Sequence, residues 1–157
     1  LKMDCRLLDL VAELTDAVLF CEARIQREGL LLSYNEPEEM IPVYADPDRL
    51  RQVFINILDN AIKYAPAGTP IYLTLARQDK RAVLTVENGG EPIPPEKLSH
   101  LFERFYRIDK GRSRKMGGTG LGLAIVKNSV LLHHGNISVR LGIAGGLEFV
   151  FTLPKAA

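Results

Sequence analysis

The sequence has no tryptophan, only two cysteines among 157 residues, and almost no net charge. Each shortage removes a class of explanation. Two thiols cannot make a disulfide framework. Cys5 and Cys21 lack CxxC spacing and fall in apolar stretches where buried free thiols are common, which points to a reducing compartment. Twenty Lys and Arg stand against 19 Asp and Glu, so no global basic field is there to hold nucleic acid or an anionic membrane, and any anion site must be local. No run approaches the ~18 apolar residues of a membrane-spanning helix, and no signal-peptide pattern is present. Internal repeats, heptads and low-complexity segments are missing as well. The expectation is one domain, residues 1–157, with no nucleic-acid or direct membrane contact and enough chain to bury a core unaided. It opens on Leu1 rather than methionine, with a pattern already under way, which predicts a piece of a longer protein.

What is present is an alternation of helical and strand periodicities. Cys5 to Leu8 reads as a short strand. Leu10, Leu14, Ala17, Val18, Cys21 and Ile25 recur at helical spacing up to about Arg27, and Gly29 supplies a stop. Leu30 to Tyr34 and Val43 to Tyr44 read as short strands. Asp46 can cap a helix whose first turn suits Pro47 and whose apolar stripe runs from Leu50 to Ala61, ending at Tyr64. Ile71 to Ala76 and Ala82 to Glu87 alternate as a hairpin across Gln78 to Arg81. A long stretch rich in glycine, proline and charge follows, Asn88 to Gly122, with one short helical segment near Lys97 to Tyr106; loops of that length are usually functional or disordered. A helix from Gly122 to about His133, stopped by Gly135, then leads to strands Ile137 to Leu141 and Leu147 to Leu153. The fold class expected is an α/β (α+β) two-layer sandwich.

On the helix after Pro47, Asn56, Asn60 and Lys63 lie at i, i+4 and i+7, within one narrow stripe beside the apolar face. A solvated polar face is the bland explanation, but it would more naturally carry Glu, Lys or Gln, because asparagine costs roughly half a kcal/mol against alanine in a helix. Amide oxygens are hard, neutral ligands suited to Mg²⁺, which shares its positions with water and nucleotide phosphates, and Lys63 can meet phosphate charge. Tyr64 offers a ring beside the same groove and could equally be a core aromatic.

Gly117, Gly118, Gly120 and Gly122, with Thr119 among them, precede a helix, so bare backbone amides can approach phosphate oxygens at its positive end. A glycine-rich hinge has the same composition. The Walker A pattern is excluded, since no GK followed by Ser or Thr occurs, and a dinucleotide fold would need a strand directly before the glycines. The segment VENGGEPIP, Val86 to Pro94, leaves a strand through Asn88. It reads as a surface turn, or as a place where an amide exchanges hydrogen bonds with adenine.

Together these pieces resemble the catalytic domain of bacterial sensor histidine kinases, of the GHKL superfamily with its Bergerat fold, over nearly the whole chain. RLRQVFINILDNAIKYAP, Arg49 to Pro66, is similar to the N box, LFERFYR, Leu101 to Arg107, to the F box, and GGTGLGLAIVK, Gly117 to Lys127, to the G2 box. The resemblance implies a mixed, mainly antiparallel sheet with helices on one face. It implies ATP and Mg²⁺ as cofactors, under a lid at about 94–118. Asn60 would be a Mg²⁺ ligand with Asn56 assisting, and Lys63 would contact phosphate. Tyr64 and Ile93 would line the adenine pocket. Arg104 and Arg107 would reach toward phosphates or the partner domain, while Gly118, Thr119, Gly120, Leu121 and Gly122 would supply backbone amides. Asn56, Lys63, Arg104 and Arg107 would be the catalytic set, acting by alignment and charge stabilisation.

The partners implied are the dimerisation and histidine-phosphotransfer helices of the same kinase and a response regulator receiver domain. The chain alone is expected to be monomeric, and the intact kinase a homodimer whose inner-membrane sensor carries this domain on the cytoplasmic side. One departure stands out: Asn88 occupies the position of the adenine-reading Asp in the family's G1 box, and Pro92 replaces its second glycine, while Gly90 is retained. The VENxGxPI form is similar to the heavy-metal-sensor branch. Two other functions compete, a GHKL-type ATP hydrolase and a nucleotide-binding pseudokinase module. The hydrolases place a glutamate where this chain has Asn56. His100, His133 and His134 sit in no phospho-acceptor motif, the last two read as cations at a helix end.

Overall fold

The computed structural model describes residues 2–64, 68–88, 122–141 and 147–156, and of Tyr64, Asn88, Leu141 and Leu147 the backbone only. Its elements run β1 (Arg6–Asp9), α1 (Leu10–Arg27), β2 (Leu31–Tyr34), β3 (Pro42–Ala45), α2 (Pro47–Tyr64), β4 (Pro70–Gln78), β5 (Arg81–Asn88), α3 (Gly122–Leu132), β6 (Asn136–Leu141) and β7 (Leu147–Pro154). Five strands form one sheet in the order β2-β4-β5-β7-β6, in which β2 pairs with β4 parallel and every other pairing is antiparallel. β1 and β3 make a separate antiparallel ribbon. The expected mixed, mainly antiparallel sheet is thus present, and the ribbon is an addition that the sequence did not announce.

One face of the sheet is buried because the strands alternate. Ile71, Leu73 and Leu75 of β4, Ala82, Leu84 and Val86 of β5, and Phe149, Phe151 and Leu153 of β7 all enter the core, while their neighbours turn away. The apolar stripes of α1 and α2 and the buried Val126 and Val130 of α3 complete that core. α2 packs between α1 and α3 and rests on β5. The Arg51 guanidinium lies 5.4 Å from the centre of the Phe20 ring, one of the ties across the α1–α2 seam.

Capping side chains place the helix starts. Asp9 Oδ1 accepts from the Val11 N–H at 3.1 Å and from the Ile41 N–H at 3.0 Å, so one carboxylate opens α1 and latches the strand pair beside it. Asp46 does more than the expected cap: Oδ1 accepts from the N–H groups of Asp48 and Arg49, and Oδ2 from that of Asp4 at 3.1 Å. Cys21 is buried and Cys5 partly so, both free. Burial pushes the Cys21 thiol up, Arg24 and Asp59 acting on it in opposite senses, which leaves it protonated and unreactive.

The helix ends depart from expectation at two residues. α1 stops as read, with Gly29 at φ +69°, its N–H donating to the Gln26 carbonyl and that of Leu30 to Ile25. At the end of α3 the same pair of bonds recurs from His134 to Leu131 and from Gly135 to Val130, but the left-handed residue is His134, at φ 62°. Gly135 is there for another reason. A Cβ on it would stand 2.1 Å from the Thr152 carbonyl oxygen. The reading of His133 as a dipole-pairing cation is also corrected, since its ring is buried and hydrogen-bonded to backbone at both nitrogens. The expected helical segment near 97–106, His100 and the lid lie outside the described residues.

Candidate nucleotide site

The asparagine helix is α2. Leu50, Val53, Phe54, Ile57, Leu58, Ala61 and Ile62 are buried, which fixes the rotation of the helix, and Asn56, Asn60 and Lys63 remain half-buried in line beside that face. Half-burial is what a binding stripe requires: close enough to the core to be held, open enough to touch a ligand. The expected alignment of the three is therefore present.

Two further segments of the reading converge on α2. α3 begins at Gly122 and packs against α2, so its N-terminal amides open beside the same helix. Among the described residues a Cβ at Gly122 would meet nothing within 4 Å, in contrast to the close approach at Gly135. β5 ends at Asn88, in register with Ile71 at the start of β4, the strand that follows α2 after a short connection. The end of β5 thus lies beside the start of β4, at the end of the central strands that the chain reaches on leaving α2. The side chains of Tyr64 and Asn88, and residues Gly90, Ile93, Arg104, Arg107, Gly118, Thr119, Gly120 and Leu121, lie outside the described residues.

Lys63 is not idle. Its Nζ lies 3.0 Å from Asp59 Oδ2, and Asp59 Oδ1 accepts from Arg24 Nη1 on α1. Burial pushes the Asp59 carboxyl up, but the hydrogen bonds and charges of Arg24 and Lys63 outweigh it and hold the group below the ordinary carboxylate range. Neither Asp59 nor Arg24 was among the site residues legible in sequence. The available signal was Asp59 four residues before Lys63, an i,i+4 ion pair; nothing local pointed to Arg24, 35 residues earlier. Among the described residues no group of three or more His, Cys, Asp or Glu could hold a metal ion, and the amide oxygens of Asn56 and Asn60 suit a cation that arrives with its nucleotide. No described helix is long and apolar enough to cross a membrane.

A two-layer sandwich with an Asn–Asn–Lys stripe on one helix and a glycine-opened helix beside it defines a class of nucleotide-binding domain. Residues 45–157 match the family described as histidine kinase-, DNA gyrase B- and HSP90-like ATPase. The sensor histidine kinase CusS of Escherichia coli K12 is 40% identical over 149 residues, 95% of this chain and 30% of CusS. The probable sensor kinase SilS of Salmonella typhimurium is 40% identical over 139 residues, 87% of this chain and 27% of SilS. Among solved structures, the catalytic domain of the histidine kinase ThkA superposes with a TM-score of 0.84 at 27% identity, covering 98% of this chain and 97% of that one. Full-length ShkA in complex with AMPPNP gives 0.83 at 28%, covering 100% and 32%. ThkA in complex with the response regulator protein TrrA gives 0.80 at 25%, covering 97% and 42%. The chain belongs to the histidine kinase-, DNA gyrase B- and HSP90-like ATPase family, and within it is an ATP-binding catalytic domain of the sensor histidine kinase type. It spans less than a third of the length of the curated relatives it matches.

Proposed function

We propose that this domain presents Mg²⁺-ATP to a histidine carried on the dimerisation helices of the same kinase, and that the phosphoryl group then passes to a response regulator. The observation that carries the reading is the half-buried stripe of Asn56, Asn60 and Lys63 on α2. Asn60 would hold Mg²⁺ with help from Asn56, Lys63 would meet phosphate charge, and amides from Gly118 to Gly122 would cradle the phosphate tail. Tyr64, Asn88, Gly90 and Ile93 belong to the adenine end of the same reading, and Arg104 and Arg107 to the lid. Bound Mg²⁺ would supply charge neutralisation across the phosphates. The likeness to ShkA, seen with AMPPNP, and to ThkA, seen with a response regulator, supports both halves of the proposal. VENGGEPI and the likeness to CusS and SilS support placement in the heavy-metal-sensor branch.

Transfer is favoured over hydrolysis by what surrounds α2. Position 56 is an amide and cannot take a proton from water. Asp59, the described carboxylate next to Asn60 in the chain, has both oxygens engaged by cations and stands below its ordinary range, which makes it a poor base. The domain is expected to bind Mg²⁺-ATP, to turn it over slowly, and to label a histidine only when the dimerisation helices are supplied. Sustained hydrolysis at enzyme-like rates would sink the transfer reading, binding without labelling of the supplied helices would leave the nucleotide-binding pseudokinase in its place, and no binding at millimolar ATP would overturn both.

A further inference from the structure

The seam between α1 and α2 carries a charge arrangement that nucleotide binding by α2 alone does not explain. Asp59 stands one residue before Asn60 and is held from two sides, by Lys63 at 3.0 Å and by Arg24 from the last turn of α1. The side chains of Arg24, Asp59 and Lys63 are 35%, 31% and 23% exposed. Water therefore screens the three less than it would an open surface pair. A lysine has four flexible side-chain bonds, and ordering it only when a ligand arrives weakens binding by the freedom lost. A carboxylate at i−4 removes that freedom in advance, yet by itself it would also cancel the lysine's charge. The third member resolves the conflict, because two cations on one carboxylate leave a net +1 facing whatever approaches.

We infer that Arg24 and Asp59 are positioning residues for Lys63: Arg24 anchors the Asp59 carboxylate to α1, and Asp59 holds the Lys63 ammonium in place while the trio keeps a positive charge for the phosphate tail. This rests on Lys63 meeting phosphate, as proposed above. It adds that a residue of α1, outside the family match over 45–157, sets how strongly the tail is held.

The test is titration of the 157-residue chain with Mg²⁺-ATP and with AMP, across Arg24→Met, Lys63→Met and the double variant. Arg24→Met is expected to weaken ATP binding about threefold to tenfold, on the scale of one partly screened charge, to leave AMP unchanged, and to have no further effect once Lys63 is Met. Arg24→Lys should recover most of the loss. If Lys63→Met leaves ATP affinity untouched, the phosphate role of Lys63 fails. The positioning role is overturned if Lys63→Met weakens ATP while Arg24→Met does not, or does so equally in the Lys63→Met background, or weakens AMP in parallel. Should Arg24→Met not fold, Arg24→Gln, which keeps a donor and removes the charge, carries the same comparison.

Discussion

His133 Nε2 accepts a hydrogen bond at 3.1 Å from the backbone N–H of Asp46, 87 residues earlier in the chain. Its Nδ1 lies 2.7 Å from the Ser129 carbonyl oxygen. A carbonyl only accepts, so the ring proton sits on Nδ1 and the lone pair on Nε2. The imidazole therefore pins the end of α3 to the corner where β3 turns into α2, in a pocket otherwise lined by apolar side chains such as Leu10, Phe54 and Phe151.

Replacing His133 with Leu fills a similar volume but leaves the Asp46 N–H without its acceptor inside the core. A loss of about 1–3 kcal/mol is expected, the usual penalty for stranding one buried polar group. Urea unfolding followed by circular dichroism reads it, and a midpoint unchanged from the parent would show that the pin is dispensable.

Neighbouring positions should respond in opposite directions. Gly135→Ala forces a methyl into the Thr152 carbonyl oxygen and should destabilise by ~3 kcal/mol, the upper part of the overpacking range. His134→Gly relieves a side chain held at φ 62° and should stabilise by ~1 kcal/mol, the left-handed strain released. Thermal melts of both variants check the pair, and the idea fails if Gly135→Ala melts with the parent.

Acid sensitivity follows from two carboxylates. The Asp4 N–H, with those of Arg49 and Asp48 and the Arg49 charge, holds the Asp46 carboxyl below its ordinary value against the opposing effect of burial, and Asp59 is likewise lowered. Because the folded values lie below the unfolded one, the stability these groups add is complete above about pH 4. It is lost as the pH falls through the folded values. The contribution of these two carboxylates should be full from neutrality to about pH 5 and fall below about pH 4, so that the acid loss of stability is shallower in Asp46→Asn and in Asp59→Asn. Unfolding titrations over that range would expose an unchanged slope.

The two ends of the proposed nucleotide site separate by mutation. Asn60→Ala should abolish most of the Mg²⁺ dependence of ATP binding, and Asn88→Ala should weaken ATP and AMP alike, since both share the adenine ring. ATP-analogue titration by NMR, with and without Mg²⁺, distinguishes them; an Asn60→Ala variant that keeps full Mg²⁺ dependence removes that residue from the metal.

Most of this was legible because the signals were periodic. The stripes of α1 and α2, the hairpin of β4 and β5 and the line of Asn56, Asn60 and Lys63 all follow from spacing along one element. What escaped depends on partners distant in sequence. No local pattern says that β1 will pair with β3 or that Arg24 will reach Asp59. The glycine at 135 was recognised as special but given the wrong cause, since a helix stop and a close approach by another strand both demand glycine and differ only in three dimensions. His133 was misread for a related reason: a histidine at a helix end is ordinarily solvated and charged, and only the fold places Asp46 against it.

The position of β7 also governs how the domain can be made. β7 follows every other described strand in the chain, yet it lies inside the sheet between β5 and β6. During synthesis on a ribosome, β6 has no sheet partner and the buried faces of β4 and β5 stay incompletely covered until Phe149, Phe151 and Leu153 have emerged. The sheet therefore closes in one late step, and a chain stopped even a few residues before Leu147 would be a target for chaperones and proteases rather than a smaller working domain.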